Sequence, residues 1–309
     1  MLNRKKYLPK IKLWDGTTSH ASVDTLMMQE CMLNLRELGF EAEHKGLWSF
    51  EDLHNGKVVY VTHTRRLGGL NPYSISQRDS EKFMIDMFKG MLPRNLCMQI
   101  AAHGHTIRGS IDDEPFRIIN CPCFVSFMEY LDAQANFAHY QTDIGAYFII
   151  VTKEGRIRTQ PWIYPPFVYN HNEKRIYSGV ENNNGHKYVD MSGKPVLESY
   201  FKDLCKDAKF IIAVIADLHV GHIAAVSPET YQYNGQTFDV PLSPANKLLL
   251  SYWKNFVAVC KEIKPNEIWM VGDGCNGVQR NYDRAQRTLT QNLEEQKAMF
   301  IELFKEFLN

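Results

Sequence analysis

"FIIAVIADLHVGH", residues 210–222, decides how the rest of the chain is read. A run of apolar and β-branched residues stops abruptly at Asp217, Leu218 and His219. Such a run reads as a buried strand, and its end delivers a carboxylate and an imidazole to the edge of a sheet. The same local grammar occurs four more times, in "IKLWDGTTSH" (11–20), "KVVYVTHT" (57–64), "CMQIAAHGHT" (97–106) and "EIWMVGDGCNG" (267–277). Each is an apolar run that ends at Gly, His or Asp. Helical patterns lie over 22–39, 246–263 and 284–308. In the first, Leu26, Met27, Leu33, Leu35 and Leu38 recur at helical spacing after Ser22, and Gly39 is a stop signal. In the last, Phe300, Leu303, Phe304 and Phe307 oppose a charged side. Strands alternating with helices predict an α/β fold whose ligands gather at the carboxyl ends of its strands.

Composition bounds what that fold can do. The 309 residues suit one large domain or two small ones, and 44% hydrophobic residues are enough for a full core. Lys+Arg and Asp+Glu both number 35. With no global basic field, any grip on nucleic acid has to be local. The 7 cysteines are odd in number and lack zinc-finger spacing, and Cys121 and Cys123 are too close for a CxxC clip. Reduced thiols in a cytoplasmic protein are the expectation. No stretch is apolar for 18 residues and no signal peptide opens the chain, so a membrane is not an expected partner. Oligomeric state is not legible.

The strand ends offer Asp217, His219, Asp273, His63, His103 and His105. Mixed carboxylate and imidazole donors suit Mn, Fe or Zn rather than Ca or a soft metal. One carboxylate can bridge two ions about 3.5–4 Å apart, and two such ions can activate a hydroxide for in-line attack on phosphorus. Singly, each piece is weak: Asp-x-His and Gly-Asp both read as turns, and one histidine after a strand reads as a satisfied core residue. Five strand ends of the same kind demand a shared explanation.

The motifs resemble those of the calcineurin-like metallophosphoesterases. "DLH" at 217–219 resembles that family's D-x-H, and "GDGCNG" at 272–277 its G-D-x-x-[DN]-G. "THT" around His63 is similar to its fourth motif and "HGH" at 103–105 to its fifth. Its G-N-H-[DE] is replaced by "GTTSH" at 16–20, which resembles the G-T-x-x-H of a subset of members, many of them from phages. "INCPCFVSF" (119–127) and "IGAYFIIV" (144–151) resemble the strands that close the family's second sheet. The motif order is rotated, because the third, fourth and fifth motifs precede the first and second. Joining Asn309 to Met1 restores the order, so the resemblance implies a circular permutation. Permutation requires only nearby original termini and a new opening in a surface connection.

The implied fold is a single domain over 1–309, with two facing β-sheets flanked by helices and Met1 near Asn309. Residues 1–165 would be the family's C-terminal half and 209–309 its N-terminal half. Residues 166–208, polar and rich in Asn and Gly, would be the joining segment, with a hairpin near "NNNGHKY" and surface histidines at 171 and 186. By the same resemblance Asp217 and His219 hold the first metal, Asp273 bridges both, His63 and His103 hold the second, and His105 returns to the first. His20 is the catalytic general acid or a further ligand. Arg65, Arg280 and His222 are candidates for substrate phosphate. The implied activity is hydrolysis of phosphoric esters, diesters foremost, by a metal-bridging hydroxide, with nucleotides or nucleic acids as possible substrates. Two alternatives stay open: a catalytically reduced binding scaffold on this fold, and a promiscuous metal-dependent esterase.

Overall fold

A computed structural model describes residues 7–16, 24–63, 84–102, 108–109, 116–126, 143–165, 167–170, 174–178, 199–277 and 288–308. In chain order these form β1 (Lys10–Leu13), α1 (Asp24–Glu37), β2 (Ala42–His44), β3 (Trp48–Asp52), β4 (Val58–Thr62), β5 (Leu96–Ala101), β6 (Arg108–Gly109), β7 (Arg117–Asn120), β8 (Ile144–Thr152), β9 (Ile157–Tyr164), β10 (Phe167–Asn170) and β11 (Arg175–Ser178). There follow α2 (Ser199–Lys206), β12 (Ala208–Ala216), β13 (Thr230–Tyr233), β14 (Gln236–Asp239), α3 (Pro244–Ile263), β15 (Glu267–Val271) and α4 (Leu293–Lys305). No helix among these residues is long and apolar enough to cross a membrane.

A six-stranded sheet has the order β2-β1-β15-β12-β8-β9, and a five-stranded sheet the order β3-β4-β5-β7-β6. In the first, β2, β1, β15 and β12 are mutually parallel neighbours, while β8 and β9 extend it antiparallel. In the second, β4, β5 and β7 are parallel. The strand sequences explain the burial. β12 and β15 are nearly continuous apolar runs, as strands covered on both faces must be.

Alternate residues of the two sheets pack into one layer. Val59 and Val61, Met98 and Ile100, Ile149 and Val151, Ile212 and Val214, and Trp269 and Val271 belong to a single buried cluster. The two sheets therefore face each other. The opposite face of the larger sheet carries Ile11, Leu13, Ala213, Ile215, Ile268 and Met270 against side chains of α1, α3 and α4. Both layers draw residues from either half of the chain.

The order β12, β15, β1, β2 has a further property. Helix α3 connects β12 to β15, and α1 connects β1 to β2. Among the described residues, helix α4 is the last element, after β15, and β1 is the first. The four parallel strands thus run in unbroken spatial succession only when the chain is read from β12 through its C-terminus to its N-terminus. Met1 and Asn309 lie outside the described residues.

Several expectations are corrected. The helix read over 284–308 is Leu293–Lys305, begun by the Asn292 side chain accepting from the Glu294 N–H. Helix α1 does not bury Leu26 and Leu33, which are 67% and 50% exposed; it buries Met27, Met28, Cys31 and Leu35. At 100° per residue, Met28, Cys31 and Leu35 share a face while Leu26 and Leu33 lie opposite. Segments 119–127 and 144–151 do not close one sheet together. β7 belongs to the five-stranded sheet and β8 to the six-stranded one. With nine buried residues, β8 is placed between β12 and β9. The joining segment is also not wholly a surface connection. It carries the β10–β11 pair and α2, whose Phe201 packs 5.2 Å from Phe148. "NNNGHKY", His171 and His186 lie outside the described residues.

Candidate metal centre

Both sheets turn the carboxyl ends of their parallel strands to one edge of the molecule. His63 follows β4, Asp217 follows β12, and Asp273 follows β15 after a single glycine. His63 Nε2 lies 2.8 Å from Asp217 Oδ1 and 3.6 Å from Asp273 Oδ2. His219 Nε2 lies 3.9 Å from the same Asp273 Oδ2, so this oxygen stands between two imidazoles. One ligating atom from each of His63, Asp217 and Asp273 falls within 4.8 Å of the others, and all three residues are buried.

The local backbone is specialised for this. Asp217 and His219 have φ of 46° and 44°, the left-handed region that side chains disfavour. Loop-to-loop hydrogen bonds hold them there. The His219 N–H donates to Asp273 O (2.9 Å), the Val220 N–H to Gly274 O (3.0 Å), and the Asn276 N–H to Val220 O (2.9 Å). The Asp273 N–H donates to the Asp217 carboxylate (3.2 Å). Beyond the loop, the buried Asn246 of α3 donates from its amide to the carbonyls of His222 and Ala225, anchoring the loop to a capped helix start.

Two glycines make the cluster sterically possible. A Cβ on Gly272 (φ 94°) would stand 2.0 Å from His63 Cδ2 and 2.6 Å from Asp217 Oδ1. A Cβ on Gly16 would stand 1.6 Å from Asp273 Oδ1. Any side chain at either position occupies space that the ligands need.

Electrostatics follow from the burial. Desolvation alone would lower the pKa of His63, but the charge and hydrogen bond of Asp217 and the charge of Asp273 outweigh it and raise it. The site favours positive charge. Its donors fit a divalent ion: carboxylate oxygens are hard ligands and imidazole nitrogens borderline ones, a mixture that suits Mn, Fe or Zn. Donors bound at about 2.0–2.2 Å from one ion sit about 3–4 Å apart, close to the observed spacings. Cys121 and Cys123 border the region, but burial, reinforced by the charge of Asp217, pushes both thiols up and keeps them protonated.

Of the residues singled out in the sequence, Asp217, Asp273, His63 and His219 come together. His20, Arg65, His103, His105 and Arg280 lie outside the described residues. β5, the strand preceding His103, runs beside β4, and the Ala102 N–H donates to Thr62 O (3.2 Å), one residue before His63. His222 is part of the turn after β12: its N–H donates to His219 O (3.1 Å) and its Nδ1 accepts from the Ala224 N–H (3.1 Å). Asn276 donates from its amide to Thr288 Oγ1 (3.2 Å). Sequence reading passed over Gly16 and Gly272 as contact glycines, and over Asp15 and His44, whose side chains pair at 2.7 Å beside Gly16. The signal was present in "WDG" (14–16), an acid followed by glycine at a strand end, as in "GDG" (272–274). Against models of known protein families, against curated proteins and against solved structures, the chain finds no match.

Proposed function

We propose that this protein is a binuclear metal-dependent phosphoesterase on a circularly permuted calcineurin-like fold, acting on phosphoric esters and foremost on diesters. The observation that carries the reading is the convergence of His63, Asp217, Asp273 and His219 from the carboxyl ends of strands in two facing sheets. The rotated succession of β12, β15, β1 and β2 supports the permutation.

In this reading Asp273 is the shared ligand, since one of its oxygens lies between His63 and His219. Asp217 and His219, joined by His105, would complete one ion's donors; His63 and His103 would serve the other. When bound, the ions would supply Lewis-acid charge and acidify a water for attack at neutral pH. The chain's own part is to hold its ligands in fixed positions on strained, hydrogen-bonded loops, so that little reorganisation is needed during reaction. Buried walls exclude bulk water and strengthen every charge interaction within. His20 follows β1 in the sequence and is proposed to protonate the leaving group or to serve as a further metal ligand.

The test is hydrolysis of bis-p-nitrophenyl phosphate and of p-nitrophenyl phosphate by protein reconstituted with Mn²⁺ or Zn²⁺. Diester hydrolysis that disappears with chelator and with Asp273→Asn is expected. Equal, chelator-resistant rates in wild type and Asp273→Asn would refute the reading.

A further inference from the structure

Four adjacent parallel strands bring residues to one edge of the larger sheet: Asp217 after β12, Asp273 after β15, Asp15 and Gly16 after β1, and His44 at the end of β2. The first two belong to the metal centre. The last two strands carry a second carboxylate–imidazole pair, with His44 Nε2 2.7 Å from Asp15 Oδ1. Asp15 is buried, with a side chain 2% exposed, and the His44 side chain is 11% exposed. Resting on the metal-centre reading above, we propose that Asp15 and His44 are positioning residues that set the metal affinity of Asp273 through Gly16.

The mechanical path is short. The Asp15 N–H donates to Gly46 O (2.9 Å), and the Lys45 N–H donates to Leu13 O (2.9 Å), so the end of β1 is tied to the end of β2. On the other side the Trp14 N–H donates to Met270 O (2.9 Å), tying β1 to β15. The Asp15–His44 bond adds a side-chain tie where the main-chain ladder is ending. Gly16 follows immediately, and its backbone lies against the Asp273 carboxylate so closely that a methyl group there would overlap Oδ1. A strand end pressed against a ligand fixes that ligand's orientation only if the strand end cannot retreat. The pair prevents the retreat. Groups that orient a ligand from outside in this way typically change metal affinity about 10–100-fold when lost.

The pair has the donor and acceptor arrangement needed for this role. The Asp15 carboxylate accepts from the imidazole, and a glutamine amide at position 44 can supply the same N–H. That makes the chemical nature of the contact testable apart from the bulk of the ring.

The experiment titrates the full chain with Co²⁺, reading visible absorbance for both affinity and coordination geometry, with circular dichroism melts as the folding control. His44→Phe keeps the ring's bulk and removes the donor; it should weaken Co²⁺ binding about 10–100-fold and alter the spectrum. Asp15→Ala removes the same bond from the other side and should do likewise, which carries the test if His44→Phe does not fold. His44→Gln should retain wild-type affinity and spectrum. Wild-type affinity and spectrum in folded Asp15→Ala overturns the proposal while leaving the metal centre standing. A wild-type chain that takes up no Co²⁺ overturns the metal centre, and this proposal with it.

Discussion

Two clusters of buried charge join the facing sheets, and they differ in kind. In the first, Lys12 of β1 lies 2.9 Å from Glu51 of β3 and 2.8 Å from Glu267 of β15, and each of the three side chains is at most 7% exposed. The Trp269 indole donates to Glu267 (2.6 Å), Ser49 donates to Glu51 (2.7 Å), and Trp14 donates to Ser49 (3.0 Å). Lys45 also reaches Glu51 at 3.2 Å. This cluster contains its own ammonium groups and sits on ordinary strand backbone. In the second, Asp217 and Asp273 face imidazoles, and the backbone bends into the left-handed region to place them. An ammonium can only be a counter-ion, whereas an imidazole can be either counter-ion or ligand. The first cluster is built to be complete; the second is built to receive.

The comparison breaks first on Asp273. In Asp273→Asn, diester hydrolysis should fall by more than the roughly 10²–10³-fold that loss of a single electrostatic stabiliser costs, because one group serves both ions. The metal-free variant should unfold in urea no more easily than wild type, since a buried charge beside Asp217 has gone. A stability loss there equal to that of a core lesion would mean the second cluster is structural like the first.

Lys12→Met should show the reverse. Removing the cation leaves the buried Glu267 without its ammonium partner and Glu51 with Lys45 alone, at a cost of about 3–5 kcal/mol in urea denaturation. Activity per folded molecule should be retained. A variant as stable as wild type would show that the ion triad does not hold the sheets together.

Gly272→Ala falls between the two. Its φ of 94° strains any side chain by about 1–3 kcal/mol, and the added Cβ collides with His63 and Asp217. Loss of both stability and metal uptake is expected, measured by thermal melt and by metal analysis of the same sample.

The smallest effect belongs to Glu43, on the exposed flank of the first cluster. Burial alone would raise its carboxyl, but the hydrogen bonds and charges of Lys10 and Lys45 hold it at about 2. A depressed carboxylate stabilises above its unfolded value of 4.5 and loses that contribution as pH falls toward 2. Solvent screening keeps the amount below about 1 kcal/mol. Glu43→Gln should slightly flatten the acid side of the stability profile; a steeper acid loss would reverse the assigned sign.

The strand ends were legible because each signal is local: an apolar run, then an acid, a glycine or a histidine. Asp217, Asp273 and His63 could be named before any geometry was known. Their meeting was not legible from spacing, because His63 and Asp217 are 154 positions apart and on different sheets. The same limit hid the placement of β8, whose apolar run does not say which sheet will bury it. Gly16 escaped because a glycine after a strand reads as a turn; only the Asp273 carboxylate beside it shows the close approach. Asn234-Gly235, with φ of 49° and 74°, is a short-range hairpin signal that was present in the sequence and joins β13 to β14. His44 escaped because β2 is three residues long and lacks the apolar run that marks the other strands.

Equilibrium dialysis of the full chain against Mn²⁺, with bound metal counted per chain, tests the central claim most directly. The account predicts two ions per wild-type chain, two in Lys12→Met, and loss of bound metal in Asp273→Asn. Wild-type chain that binds no Mn²⁺, or Asp273→Asn that retains two ions, would contradict it.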